Sequence, residues 1–298
     1  MGKTGLIWVL STLFAFSWLA PAAAQESSTN GAPASGDATL TAAVSQLEQA
    51  NAIFLEDGRE QEAIRIAQGL IATFEQAEDY LHLVECHFLL GEAYYFLNDW
   101  ANAEHHMQSV VEVSDAQFGG DIESYPLKVL GDSQYEQGKY NDALRTYQAR
   151  VSRVQARGET AELAGAQFDV AKMHLQLSQY EPAARALEQA DEANTAYAAE
   201  LSAPGSTATQ EERDANVIDH AEITYHLAFA YFNLNQIELS RDSLAKALAF
   251  FESIQATGRY DVTDRLVAVL DNLVIIHEQL GDTTSAERFR AERDRLNR

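Results

Sequence analysis

The sequence predicts an all-α fold, an array of about six antiparallel helix pairs stacked on one another. Three observations carry that expectation. Across 298 residues there are only 5 prolines, set among stretches rich in Ala, Glu, Gln and Leu, a composition that favours helix. Residues that suit a helix stop recur at Gly58, Asn98, Gly138, Ser178, Asn235 and Gly281. Five of these six are Gly or Asn, which tolerate the left-handed backbone that ends a helix. The third observation is a pair of small residues placed symmetrically about the stops, with Asn51 and Val274 as departures that leave the first and last pairs weakly marked.

The first four stops are 40 residues apart, and the next intervals are 57 and 46. Such a drift is expected where loops have been inserted. Five positions after each stop stand Ala63, Ala103, Ala143, Ala183, Ser240 and Ala286, and seven positions before stand Asn51, Gly91, Gly131, Ala171, Ala228 and Val274. Small side chains on both arms of a helical hairpin let the backbones approach. Large ones nearby fill the remaining space: Phe54, Tyr94 and Tyr231 on the first arm, Met107, Tyr147, Leu187 and Leu244 on the second. One pair cannot cover this apolar surface alone, whereas stacked pairs can.

The N-terminus reads as a secretory signal spanning residues 1–24. Lys3 precedes an apolar core, Leu6–Ala20, and Ala22-Ala23-Ala24 provides small residues for cleavage before Gln25. The core is shorter than the roughly 20 residues of a membrane span, and a retained anchor is the alternative. No cysteine lies at the cleavage point and no twin arginine precedes the core, so the general secretory route and a periplasmic or secreted location are expected. Residues 25–39, rich in Ser, Thr, Gly and Ala, read as a flexible linker, and 40–298 as the helical array. A second break, LSAPGSTATQ, marks an inserted loop near 201–215.

Composition narrows the function. With 45 Asp and Glu against 21 Lys and Arg the net charge is −24, which repels phosphate backbones and anionic lipid alike. Nucleic-acid binding is not expected, nor stable membrane insertion once the signal is removed. Cys86 is the only cysteine, so no internal disulfide can form, and it reads as a small buried apolar group. His82 with Cys86, and His105 with His106, are the candidate zinc donors, but a zinc site wants three or four convergent donors at short spacing. No phosphate loop, nucleophile elbow or metalloprotease helix occurs. Neither catalysis nor a cofactor is expected.

Two segments carry a family resemblance. Leu89-Leu90-Gly91-Glu92-Ala93-Tyr94 with Asn98-Asp99-Trp100-Ala101-Asn102-Ala103, and Leu130-Gly131 with Gly138-Lys139-Tyr140-Asn141-Asp142-Ala143, resemble the tetratricopeptide repeat. The likeness covers about residues 40–296. Its 40-residue spacing departs from the usual 34 and resembles the longer-helix variant of kinesin light chain. The resemblance implies a right-handed α-solenoid in which the first helix of each pair lines a concave groove that binds proteins. Carried over residue by residue, that groove comprises Glu85, Phe88, Glu92 and Tyr95, then Asp132 and Tyr135 with Tyr125 and Lys128. Further along come Phe168 and Lys172, then Tyr225 and Phe229 with Glu222 and Phe232. Phe88 and Phe229 read equally well as core. The paired Lys and Asn of a chaperone-carboxylate clamp are missing, since Phe88 with Glu92 and Lys128 with Asp132 stand there instead. The expected function is an exported scaffold whose groove takes a basic or neutral protein or peptide. The alternative is an accessory subunit of an envelope enzyme or assembly complex, in contact through its convex or acidic face.

Overall fold

The computed structural model describes residues 35–120 and 123–297, so the expected signal and most of the expected linker lie outside the described residues. The described chain is all-α, with twelve helices and no strand. It forms two compact units, one ending at Gln137 and one beginning at Gly138.

The first unit contains α1 (Ser35–Phe54), α2 (Glu60–Gln76), α3 (Tyr80–Phe96), α4 (Trp100–Phe118) and α5 (Tyr125–Glu136). Each helix packs on the next, and α1 also meets α3, as α3 meets α5. Helix α1 begins at Ser35, inside the stretch expected to be linker. Its core joins Leu47, Ala50 and Phe54 to Ala63, Ala67 and Phe74, and then to Cys86, Leu90 and Ala93.

The second unit contains α6 (Tyr140–Arg157), α7 (Thr160–Gln176), α8 (Tyr180–Leu201), α9 (Gln210–Asn233), α10 (Ile237–Gln255), α11 (Thr263–Gln279) and α12 (Thr283–Leu296). Again neighbours in sequence pack together, and α7 meets α9. The loop expected near 201–215 is shorter, because a capping box at Thr209 and Glu212 starts α9 at Gln210.

The turns follow from local chemistry. All six expected stops have positive φ, from 56° at Ser178 to 79° at Gly58. At Asn98 the next amide, Asp99 N–H, reaches back to the Tyr94 carbonyl at 2.9 Å, closing the six-residue ring of a Schellman stop. Asp99 then caps α4 through the Asn102 amide at 3.3 Å. One residue ends a helix and the next starts another, which fixes the tight antiparallel hairpin. Asp282 does the same for α12.

The small-residue pairs sit at the crossings. Ala63, Ala103, Ala143 and Ala183 are fully buried. At Gly91 an added Cβ would stand 2.8 Å from Met107 Cε and 2.9 Å from its Cγ, and Met107 has no exposed surface into which to move. Gly91→Leu is therefore expected to destabilise the protein by about 1–3 kcal/mol, while Ala101→Leu on the exposed side of α4 costs little. Thermal melts of the two variants check this. Equal melting temperatures would put the α3–α4 crossing elsewhere. The two departures from the small-residue rule have their own reasons. Asn51 donates from Nδ2 to Glu85 Oε1 at 2.8 Å, and Val274 is itself core.

The last helix, rich in arginine, is not a free basic patch. Arg293 pairs with Asp271 at 2.7 Å, Arg290 with Glu278, and Arg288 lies 4.4 Å over the Phe289 ring.

Candidate functional site

In each unit the first helices of successive pairs bring their expected groove residues together. In the first unit α3 carries Phe88, Glu92 and Tyr95 on one stripe, and α5 carries Tyr125, Lys128 and Asp132 on the facing one, as the helical spacing of three and four dictates. Phe88 lies 6.0 Å from the Tyr125 ring and packs half-buried against the core cluster that runs from Met107 to Leu130. Tyr95 stands edge-on to Trp100 at 5.2 Å and donates from its hydroxyl to Asp132 at 3.3 Å. Asp132 also holds Lys128, 2.6 Å away. Tyr135 is half-buried on the same helix. Glu85 is half-buried and held by Asn51, and burial pushes its carboxyl up.

Glu92 differs from the expectation of a groove carboxylate. Only 2% of it is exposed, beneath the stripe rather than on it. Burial lifts its carboxyl to about 8, against the opposing effect of a hydrogen bond from the Tyr125 hydroxyl, and Oε1 has no hydrogen-bond partner. At neutral pH it is a neutral acid and contributes no charge to the surface. Burial, helped by the neighbouring Glu92, also raises Tyr125.

In the second unit Phe168 of α7 meets His226 of α9 edge-on at 5.0 Å, and Lys172 lies 5.8 Å over the Phe168 ring while holding Asp169 at 3.3 Å. Tyr225 accepts a hydrogen bond from Asn272 of α11 at 3.1 Å. Glu222 is paired with Arg265 at 2.8 Å. Beyond Tyr225 a cleft of ≈280 Å³ opens between α9, α10 and α11. Its sides include Phe229, Phe232 and Ile275, which are 51%, 38% and 51% exposed, over Ala228 and Leu244. These are three of the large apolar side chains that face solvent. Ile275 and Asn272 escaped the sequence reading, and their signal was the continuation of the first-helix register into the last pair.

The candidate metal donors face different ways. His82 bonds Asp79 Oδ2 at 2.7 Å, Cys86 Sγ donates to the Ala67 carbonyl at 3.0 Å inside the core, and His106 pairs with His87. Burial pushes the Cys86 thiol up to about 12, where it is neither nucleophile nor ligand. Among the described residues no three His, Cys, Asp or Glu side chains are grouped to hold a metal ion.

No protein-family model matches the chain, and no curated protein matches its sequence. Solved structures do match its shape. BtubC (BKLC) from P. vanneervenii superposes with a TM-score of 0.57 at 16% identity, over 89% of this chain and 92% of that one. A signal transduction ATPase with a tetratricopeptide-repeat sensor from Pyrococcus horikoshii gives 0.59 at 16% identity, over 85% of this chain but 35% of that one. The kinesin light chain-like repeats of Podospora anserina give 0.50 at 19% identity, over 74% and 98%. At these identities the likeness is one of fold, and the fold is tetratricopeptide-like.

Proposed function

We propose that this tetratricopeptide-like chain is a protein-interaction scaffold of the bacterial envelope, without catalytic activity of its own, that holds partners on the first-helix face of its second unit. The observation that carries the reading is the cleft with Phe229, Phe232 and Ile275 exposed at its sides. Water-facing aromatic and branched side chains gathered at one concavity favour a partner's apolar side chains, and such anchors dominate binding energies. The net charge of −24 favours a partner segment whose apolar residues are flanked by basic ones. Long-range attraction would speed encounter and fade with salt, while the apolar anchors slow release. The envelope location rests on the signal-like N-terminus, and no described helix is long and apolar enough to cross a membrane.

Phe229→Ala and Ile275→Ala are each expected to weaken partner capture about 10-fold or more while circular dichroism stays unchanged. The measurement is crosslinking pull-down from envelope extract, followed by dissociation kinetics with the captured protein. Undiminished capture by the double variant would remove the cleft from the binding surface and favour an accessory subunit that makes contact elsewhere.

A further inference from the structure

A second, more open depression, of ≈380 Å³, is lined by α6, α7 and α8, none of which lines the Phe229–Ile275 cleft. In a chain with 45 acidic residues none lines it, and its ionisable members are Arg185 and His174. Arg185 is exposed and makes no ion pair with any described residue, unlike Arg150, Arg259 and Arg265, each of which holds a carboxylate. Gln167 is only 7% exposed, yet its amide has no hydrogen-bond partner among the described residues. The side chain is mostly covered, but its amide atoms stay open to the depression, where they are a free donor and acceptor. His174 spends Nδ1 on Gln179 Oε1 at 2.7 Å, which leaves Nε2 available. The apolar part of the lining is small, comprising Val151, Val170, Pro182 and Ala186.

We propose that this depression binds a small carboxylate that also carries an amide and a short aliphatic side chain, the chemistry of an N-acylated amino acid. Arg185 is the cation for the carboxylate, which a guanidinium grips through two parallel hydrogen bonds. Gln167 matches the amide, donating to its carbonyl and accepting from its N–H. Val151, Val170 and Ala186 receive the side chain. The volume suits a small molecule with one amide, and the site uses none of the residues of the Phe229–Ile275 cleft, so either can fail alone.

The test uses the full chain with N-acetylvaline as probe, and N-acetylvalinamide to remove the charge. The side-chain amide signal of Gln167 in a nitrogen-correlated NMR spectrum reports binding. Saturable movement is expected with the acid, and the amide should bind about 10-fold more weakly. Arg185→Gln, at an exposed position that leaves folding intact, should make the two probes equal, and Gln167→Leu should weaken both. A short peptide ending in valine separates sources. Binding as tight as N-acetylvaline would assign a chain terminus as the natural ligand, and weaker binding a free acyl amino acid. No saturable shift with N-acetylvaline, or equal binding of acid and amide by the unaltered protein, would overturn the proposal.

Discussion

Glu92→Gln is expected to make the protein more stable at pH 8, although it exchanges a single atom in a fully packed site. The carboxyl is 2% exposed, faces no cation, and leaves Oε1 without a partner. Its folded-state value of about 8 lies above the ordinary 4.5 of the unfolded chain. A raised carboxyl gives its full contribution below pH 4.5, and that contribution is lost as the pH climbs towards 8, because the unfolded chain releases the proton and the folded one must keep it. One pKa unit corresponds to about 1.4 kcal/mol, so after discounting for relaxation the neutral glutamine should gain about 2–4 kcal/mol at pH 8 and almost nothing at pH 5. Urea melts at the two pH values measure it. A gain that does not grow with pH would show that Glu92 is ionised in the fold. The same change leaves the surface charge at neutral pH nearly as it was, so partner association should be little slowed. Asp132→Asn, which removes a half-exposed charge shared by Lys128 and Tyr95, is the substitution that tests electrostatic steering.

What could be read from the sequence was whatever local chemistry dictates. A hairpin with one residue in the left-handed region advertises itself through Gly or Asn, and even Ser178, the poorest of the six stops, adopts φ 56° because its neighbours enforce the same ring. Glu78 shows the limit. It ends α2 with φ 53° in a turn of the same type, and no glycine or asparagine signalled it. The capping box at Thr209 and Glu212 was present in the sequence, but a Ser/Thr-rich run reads first as loop.

The candidate site was legible in direction but not in depth. Helical spacing places Phe88, Glu92 and Tyr95 on one stripe, and the stripe exists. Whether a residue on it meets water depends on what the next first helix lays over it, which periodicity along one helix does not encode. Tyr125, 33 residues beyond Glu92 on the next first helix, bonds the Glu92 carboxyl while leaving Tyr95 half-exposed. The same limit divided the two ambiguous phenylalanines. Phe88 packs half-buried against the core cluster of Met107, Val110, Leu127 and Leu130, whereas Phe229 is 51% exposed. Ile275 is hard to place from sequence because Val274 beside it departs from the small-residue rule, which leaves the last pair weakly marked.

Acid is expected to unfold the first unit earlier than its carboxylates alone would require, through a contact that spacing did not reveal. His87 and His106, 19 residues apart on α3 and α4, bring their Nδ1 atoms to 3.0 Å, and both are buried. One ring must donate its proton to the lone pair of the other, so the contact needs a neutral acceptor. Tyr94 stacks on His106 at 5.6 Å and is held by Gln68, and His105 adds a third imidazole 5.0 Å away. None of these groups is a carboxylate that would welcome a second proton. Burial first, and the neighbouring imidazoles second, lower both His87 and His106 to about 4. The sign follows: a histidine with a depressed folded-state value has full stability above the ordinary 6.5, and loses it as the pH falls towards 4, because the unfolded chain takes up protons first. For the pair the loss is on the order of 3 kcal/mol across that window. Glu92 opposes it, since acid favours the neutral carboxyl down to 4.5, so the unaltered protein should show a shallow optimum. The Glu92→Gln background exposes the histidine effect alone, as a stability that falls from pH 6.5 to 4.5, where few ordinary carboxylates titrate. In that background His87→Leu with His106→Phe should flatten the fall, whatever it does to stability at pH 7. A profile already flat with both histidines present would mean that the pair accepts protons in the fold, and that the Nδ1 contact is not what holds α3 to α4.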